Sequence, residues 1–309
     1  MTKPLFSLRH IDKCHILNNQ LVMKPILHIP ILILLLTAIA FAQQRPLLTE
    51  DIDTTPPGTI NIAAGTDFFQ NAKFPLAGLK GDLTRVGDIR IRTGYSSNVE
   101  VQIEGVVQNF LAVNSQSSPA IPLNIDGNSS NDWGDISTSV KIRLKNETAN
   151  LPGLAFKFGF QMPNSNEKRG IGTNQIDIFT KVIAQKTFGK EPGKDPKLKV
   201  FGNLGLGIMT APLEDFSQND VLLYGFAGIY RLTDNINLAS EVNGRISTQG
   251  GEAPLGTESK GQFRIGTQIK ASGLRFDTAA IFGLTKFSPR TGVTFGVTYQ
   301  SPTFFTPAP

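Results

Sequence analysis

Beyond residue 42 the sequence has no cysteine and no histidine. The only cysteine, Cys14, and all three histidines, His10, His15 and His28, lie near the start. Without cysteine, residues 43–309 have no disulfide framework and no thiolate nucleophile, and no lipid can be attached to a cysteine at a processed N-terminus. Without histidine they lack the commonest general base and metal ligand. Enzymes of the lipase, acyltransferase or protease kind usually activate a nucleophile or water through histidine, so the expected protein is not an enzyme and carries no cofactor or metal. Also missing are any long stretch of helical apolar spacing and any second membrane-length apolar run. Tryptophan occurs once, at Trp133.

The one apolar run is near the beginning. Lys24 precedes Ile31-Leu32-Ile33-Leu34-Leu35-Leu36 and then Ala40-Phe41-Ala42. A basic start, a short apolar core and small residues at positions −3 and −1 read as a cleaved secretory signal, cut after Ala42. An uncleaved anchor would need roughly 20 apolar residues, and Pro30 interrupts the start of this run. Met23-Lys24-Pro25 is the expected beginning of the signal, with 1–22 an upstream extension carrying Arg9, Asp12 and Lys13. The expected organisation is therefore a signal at 23–42, a periplasmic segment at 43–57, a barrel at 58–300 and a tail at 301–309. Loss of 1–42 removes four basic residues and one acid, so the formal charge of +5 falls to +2. The basic character leaves with the signal, and no nucleic-acid partner is expected.

What remains is period-two alternation, the signature of strands with one apolar and one wet face. Leu274, Phe276, Thr278, Ala280 and Phe282 alternate with Arg275, Asp277, Ala279, Ile281 and Gly283. Ile136, Thr138, Val140, Ile142 and Leu144 alternate with Asp135, Ser137, Ser139, Lys141 and Arg143. So many charges on the second face are incompatible with an ordinary packed core, where unpaired charge is expensive. The pattern predicts an all-β fold, a transmembrane antiparallel up-and-down β-barrel of about twelve strands. They are placed at 58–69, 82–95, 98–111, 134–145, 152–162, 174–188, 197–209, 220–231, 234–247, 260–270, 273–285 and 291–300.

The connections give a second test, because outer-membrane barrels have short periplasmic turns and longer external loops. The predicted external connections are 70–81, 112–133, 163–173, 210–219, 248–259 and 286–290. The predicted periplasmic ones are 96–97, 146–151, 189–196, 232–233 and 271–272. Long and short largely alternate. Tyr95, Phe188, Tyr230 and Tyr299 fall at ends that share the periplasmic rim, where aromatic rings favour the membrane interface.

By alternation Arg90, Arg92, Glu100, Glu104, Lys141, Arg143, Lys157, Asp177, Lys181, Glu241, Arg245, Arg264, Arg275 and Asp277 point into the lumen. Two readings stand side by side: a pore lining with excess positive charge, or cross-strand ion pairs bracing the wall. Inward Phe179, Phe201 and Met209 would narrow the lumen. Other motifs carry little. Gly202, Gly205 and Gly207 lack the strand-then-helix context of a phosphate loop. The oxygen-rich run Asp126–Asp132 does not match EF-hand spacing.

Arg45-Pro46-Leu47-Leu48-Thr49-Glu50-Asp51, Pro56-Pro57-Gly58, Gly87-Asp88-Ile89, Gly134-Asp135-Ile136 and Asn235–Gly244 together resemble a family of bacterial outer-membrane barrels. It is the meta-pathway of phenol degradation, or transporter, family. The resemblance implies an outer-membrane barrel and uptake of small aromatic compounds, with no catalytic residues to carry over. The chain departs from many barrels in running past Tyr299 to Pro309, with Phe304 and Phe305 in that tail.

The expected function is a passive outer-membrane channel for small solutes, aromatic or hydrophobic, whose partners are outer-membrane lipid, the barrel-insertion machinery and a small permeant. The alternative is a structural or adhesion barrel acting through external loops, of which 112–133 is the longest. An outer-membrane enzyme stands behind both. The exported chain is expected to begin at Gln43, which N-terminal mass spectrometry checks; a precursor peptide covering Ser7–Asn19 would refute initiation at Met23.

Overall fold

A computed structural model describes residues 45–213, 217–303 and 305–306. The predictions on residues 1–44, including the cut after Ala42 and the start at Met23, lie outside the described residues.

The strands are β1 (Ile60–Phe74), β2 (Leu79–Gly94), β3 (Val99–Gln116), β4 (Ser129–Asp132), β5 (Ile136–Lys145), β6 (Gly153–Met162) and β7 (Asp177–Phe188). They continue with β8 (Leu198–Thr210), β9 (Gln218–Arg231), β10 (Ile236–Ser247), β11 (Lys260–Ala271), β12 (Leu274–Gly283) and β13 (Thr291–Gln300). Each wall strand pairs antiparallel with its neighbours in the chain. β1 also pairs with β13, from Asn61 opposite Gln300 to Gln70 opposite Thr291, which closes the sheet. β4 is a short arm beside the far end of β3 and takes no part in closure. Twelve strands therefore form a closed antiparallel barrel, the predicted fold class.

The alternation decides which way each strand faces. On β11 and β12 the buried side chains are those of Arg264, Gln268, Arg275, Asp277, Ala279 and Ile281, while Ile265, Ile269, Phe276 and Phe282 are exposed. The same holds around the wall, with Phe68, Phe158, Leu204, Leu206, Phe226 and Phe295 among the exposed residues. The molecule is thus inverted relative to an ordinary globule, polar within and apolar without. Water alone would not favour such an exterior; a lipid surround does.

One rim carries the beginning of β1, the end of β13 and the short turns after even-numbered wall strands; it is called the terminal rim below. Tyr95, Phe188, Tyr230 and Tyr299 all sit at this rim, the first three exposed. The loop rim, opposite, differs from expectation in two places. Residues 70–81, read as a loop, are mostly strand, with β1 and β2 joined by a single 3-10 turn at Pro75–Ala77 that ends on Gly78 in the left-handed region. Residues 112–133, also read as a loop, contain the end of β3 and the β4 arm. Both extensions are rich in Gln, Asn, Lys, Gly and Ser, the composition of turns. Their order comes from tertiary packing: Phe69, Ala72, Leu79, Leu83, Leu111 and Ile281 form a small core on the wall toward the loop rim, with Leu123, Ile125 and Ile171 packed against it.

A bulge keeps β2 in phase. Register shifts between Gly65 and Thr66, because Gly87 inserts at φ 67° and lets Asp88, Arg90 and Arg92 face inward with Leu83 beyond it. An extra residue in an antiparallel pair does this when it can adopt left-handed φ. A Cβ at Gly87 would lie 2.8 Å from Val107 Cγ2. Gly87→Val is therefore expected to lower stability by about 1–3 kcal/mol, measured by chemical unfolding of the detergent-folded barrel, whereas Val86→Ile on the exposed face should be nearly neutral.

Candidate functional site: the N-terminal segment in the lumen

Residues 45–57 were expected on the periplasmic side. Instead the described part of this segment enters the barrel. Gly58 N–H donates to Gly94 O at 2.9 Å at the terminal rim, and from there toward Arg45 the chain lies across the lumen. Arg45, Leu47, Thr49, Glu50, Asp51, Ile52 and Thr55 are all buried.

No ladder supports this stretch; wall side chains satisfy its backbone instead, as buried peptide groups require. Thr55 N–H and Oγ donate to Glu100 at 2.6 and 2.7 Å. Ile52 N–H donates to Gln185 at 3.2 Å. Asn203 bonds Glu50 reciprocally, accepting from its N–H at 2.8 Å and donating to its carbonyl at 2.7 Å. Glu241 accepts from Leu48 N–H at 2.8 Å and Thr49 N–H at 2.7 Å. Arg90 donates to Leu47 O at 3.1 Å, Arg264 to Pro46 O at 2.9 Å and Gln268 to Arg45 O at 2.7 Å.

Charges match as well. The segment's three acids, Glu50, Asp51 and Asp53, meet three wall lysines. Lys157 pairs with Glu50, Lys199 pairs with Asp51 at 3.3 Å and with Asp53, and Lys141 sits between Glu100 at 3.2 Å and Glu50 at 4.0 Å. The segment's one cation, Arg45, lies 2.9 Å from Asp88 and 3.6 Å from Asp67. Apolar contacts complete the fit: Leu47 packs with Phe201, Ala227, Ile229 and Ala239, and Ile52 with Ala155 and Ile183.

The wall leaves space for this chain. Gly65 and Gly296 are partners across β1 and β13. A Cβ at Gly65 would lie 2.1 Å from an Arg45 guanidinium nitrogen, and one at Gly296 2.6 Å from Arg45 Nε. At Gly153 and Gly225 a Cβ would run into Ile52 and Thr49. At the terminal rim the turn after β5 is tied down by Glu147, which accepts from the Thr187 N–H at 3.1 Å and its hydroxyl at 2.9 Å. Partial burial opposes ionisation there, but these donors and nearby Lys190 and Lys186 hold the Glu147 carboxyl below the usual range.

Of the charges assigned inward from the sequence, Arg90, Glu100, Lys141, Lys157, Glu241, Arg264 and Arg275 bond the segment. Asp277 braces Arg275 at 2.8 Å, and Arg92 lies 3.8 Å from Glu104. Arg143 sits at the terminal rim, bonded to Ser97 O and Asn98 away from the segment. Asp177, Lys181 and Arg245 lie higher, beyond it. Phe179 lines the lumen there, and Phe201 and Met209 are buried in the wall's inner face. Pore lining against bracing was therefore an incomplete choice, since half of these groups serve a third partner. Reasoning from charge missed Asp67, Asp88, Lys199 and the amides Gln102, Gln185, Asn203 and Gln268. Each lies on the inward phase of a strand already recognised, so the same alternation could have found them.

Above the segment the lumen is hollow. One cavity of about 580 Å³ reaches from Leu48 and Thr49 to Trp133 and Phe287 at the loop rim. A second, of about 300 Å³, shares Leu48, Lys181, Leu223 and Arg245 with it and descends to Glu50 and Lys157.

A closed twelve-strand wall with an apolar exterior and a polar, chain-crossed interior invites comparison with solved barrels. No family model matches this sequence, and no curated protein does. An outer membrane channel from Pseudomonas putida F1 aligns at 17% identity over 81% of this chain and 98% of that one, with a TM-score of 0.53. The fold is that of outer-membrane β-barrels. The translocator domain of the autotransporter NalP from Neisseria meningitidis aligns at 16% identity over 80% of this chain and 90% of that one, with a TM-score of 0.44. OmpT of Vibrio cholerae aligns at 11% over 82% and 99%, with a TM-score of 0.38. At 17% identity the likeness to the Pseudomonas putida channel shows the fold and nothing finer.

Arg45 and Glu50 carry ion pairs at two separate points of the segment, to Asp88 and to Lys157, so removing both groups should loosen it. In detergent, residues 45–57 of the unaltered barrel are expected to resist proteinase K. The Arg45→Ala/Glu50→Gln double variant should be cut there while its wall stays intact by mass spectrometry.

Proposed function

We propose that this chain is a bacterial outer-membrane channel for small solutes, acting by passive diffusion, with its N-terminal segment as the constriction. The single observation that carries this reading is the hollow lumen above residues 45–55, enclosed by a wall without open edges. Enclosed space in a barrel of this size has no structural purpose that side chains alone would not serve better. The apolar exterior supports a membrane location, and the fold shared with outer-membrane barrels supports that particular membrane. The resemblance to the phenol-degradation transporter family suggests that small aromatic or hydrophobic compounds are among the solutes.

Passage requires the segment to yield or to leave a narrow path beside it. Its fixation by hydrogen bonds and ion pairs, rather than by a sheet ladder, favours displacement without rupture of the wall. An adhesion barrel acting through its loops would have no use for the inner cavity. The loops at the rim are better accounted for as the cavity's mouth.

The test is flux. In liposomes the unaltered protein is expected to admit small solutes slowly and in order of size, and Arg45→Ala/Glu50→Gln should raise planar-bilayer conductance several-fold. Absence of conductance and of solute flux in both proteins, each folded by heat-modifiable migration, would overturn the reading.

A further inference from the structure

Inward cations follow one another along a single row of the wall. Successive Cα partners link Glu100 to Lys141, Lys141 to Lys157, Lys157 to Lys181 and Lys181 to Gly205. The row continues from Gly205 to Leu223, then Arg245, then Lys260. Residues directly opposite one another share a face, and like charges placed so repel. Five cations on one row therefore need anions.

The lower two have them, Lys141 in Glu100 and Lys157 in Glu50 of the segment. The upper three do not. Among the described residues no carboxylate oxygen lies within ion-pair distance of Lys181, Arg245 or Lys260. Among the described residues Arg245 donates to the carbonyls of Glu258, at 2.9 Å, and Gly256, at 3.2 Å. The Glu258 carboxylate turns instead to the Gly256 N–H at 2.8 Å. Lys181 has the Phe179 ring, 5.7 Å from its ammonium, and no anion. The other acids lining the two cavities are engaged elsewhere: Asp177 accepts from Thr210 N–H at 3.2 Å, Asp135 from Asn164 and Ser165 N–H at 3.1 and 2.9 Å, Glu104 lies 3.8 Å from Arg92, and Glu50 pairs with Lys157.

Lys181, Arg245 and Lys260 all line the larger cavity, together with Leu223, Tyr224 and Phe287. Arg245 and Lys260 are direct partners. Lys181 stands three strands away, roughly 14 Å at usual strand spacing, and Gly205 between them adds no side chain. The space is thus positive on one wall, apolar beside it, and of the size that takes a small organic molecule.

We propose that this cavity binds a small organic anion, a carboxylate held by Arg245 and Lys260 and drawn in by Lys181, with its apolar body against Leu223, Tyr224 and Phe287. The proposal deepens the channel reading and rests on it, since it names the class of solute the lumen selects.

Trp133, the only tryptophan, lines the same cavity and reports occupancy. The detergent-folded protein would be titrated with benzoate, with benzamide (the same ring uncharged) and with acetate (the charge without a ring), following tryptophan fluorescence. Benzoate should bind saturably, and both others at least about tenfold more weakly. Lys181→Met/Lys260→Met should lose about tenfold for benzoate and nothing for benzamide, while Lys194→Met at the terminal rim changes neither. Equal affinity for benzoate and benzamide, or benzoate binding unmoved in the folded double variant, would overturn the proposal. Should that variant not fold, chloride competition on the unaltered protein decides: rising salt must displace benzoate and spare benzamide. Liposome flux of benzamide without selective benzoate binding would leave the channel standing and remove this site. Selective binding with no flux of either would leave the site and remove the channel.

Discussion

An irregular stretch of chain lying inside a closed wall has to find a partner for every peptide group and every charge, because neither sheet ladder nor bulk water is at hand. The hydrogen bonds of the backbone of residues 45–55 run to side chains of the wall. Breaking one member of a buried ion pair leaves the other uncompensated, which costs far more than the intact pair contributes. Such pairs therefore fix position better than they add stability. Three acids against Lys141, Lys157 and Lys199, and one arginine against Asp67 and Asp88, allow the segment one register. Leu47 and Ile52 add burial of about 1.5–3 kcal/mol each, which supplies the adhesion that the polar contacts lack.

The wall is shaped to the same end. Gly65 and Gly296 oppose each other where the guanidinium of Arg45 rests, and any side chain at either place would occupy its seat. The bulge at Gly87 keeps the Arg45 partner Asp88 and the Leu47 partner Arg90 on the inner face of β2. Removal of the segment would leave a groove lined by glycine and unpaired charge, which no lipid-facing requirement explains. The groove and the chain that fills it form one device.

Much of the fold could be read directly from the residues, and the reason is periodicity. On β12, Arg275, Asp277, Ala279 and Ile281 occupy one phase and Phe276, Thr278, Ala280 and Phe282 the other, and a slip of one residue would place Arg275 and Asp277 in lipid. Such strands admit a single reading. The extensions at 70–81 and 112–133 were illegible because Gln70, Asn71, Lys80 and Gly81 have turn chemistry and owe their order to Leu123, Ile125 and Ile171, distant in sequence. The segment escaped for a related cause. Its Arg45, Glu50, Asp51 and Asp53 look solvated in isolation, and only the pairing of their charges with inward residues distant in sequence, 43 positions for Asp88 and 148 for Lys199, reveals that they are buried. Charge alternation placed Lys157 and Glu241 on the inner face, yet could not say whether water, a neighbour or another part of the chain would answer them.

A twelve-strand lumen is wider than side chains alone can fill, so what occupies it decides how its charges behave. In the half near the terminal rim the occupant is protein, the surroundings are dry, and every lysine of the row has a carboxylate. In the other half the wall encloses a cavity, and Arg245 and Lys260 stand side by side on it with no carboxylate oxygen within ion-pair distance among the described residues. The change from matched to unmatched charge falls where Leu48 and Thr49 form the cavity floor. One row of like residues is thus divided into a structural part and a receptive part, and the boundary is set by how far the N-terminal segment reaches.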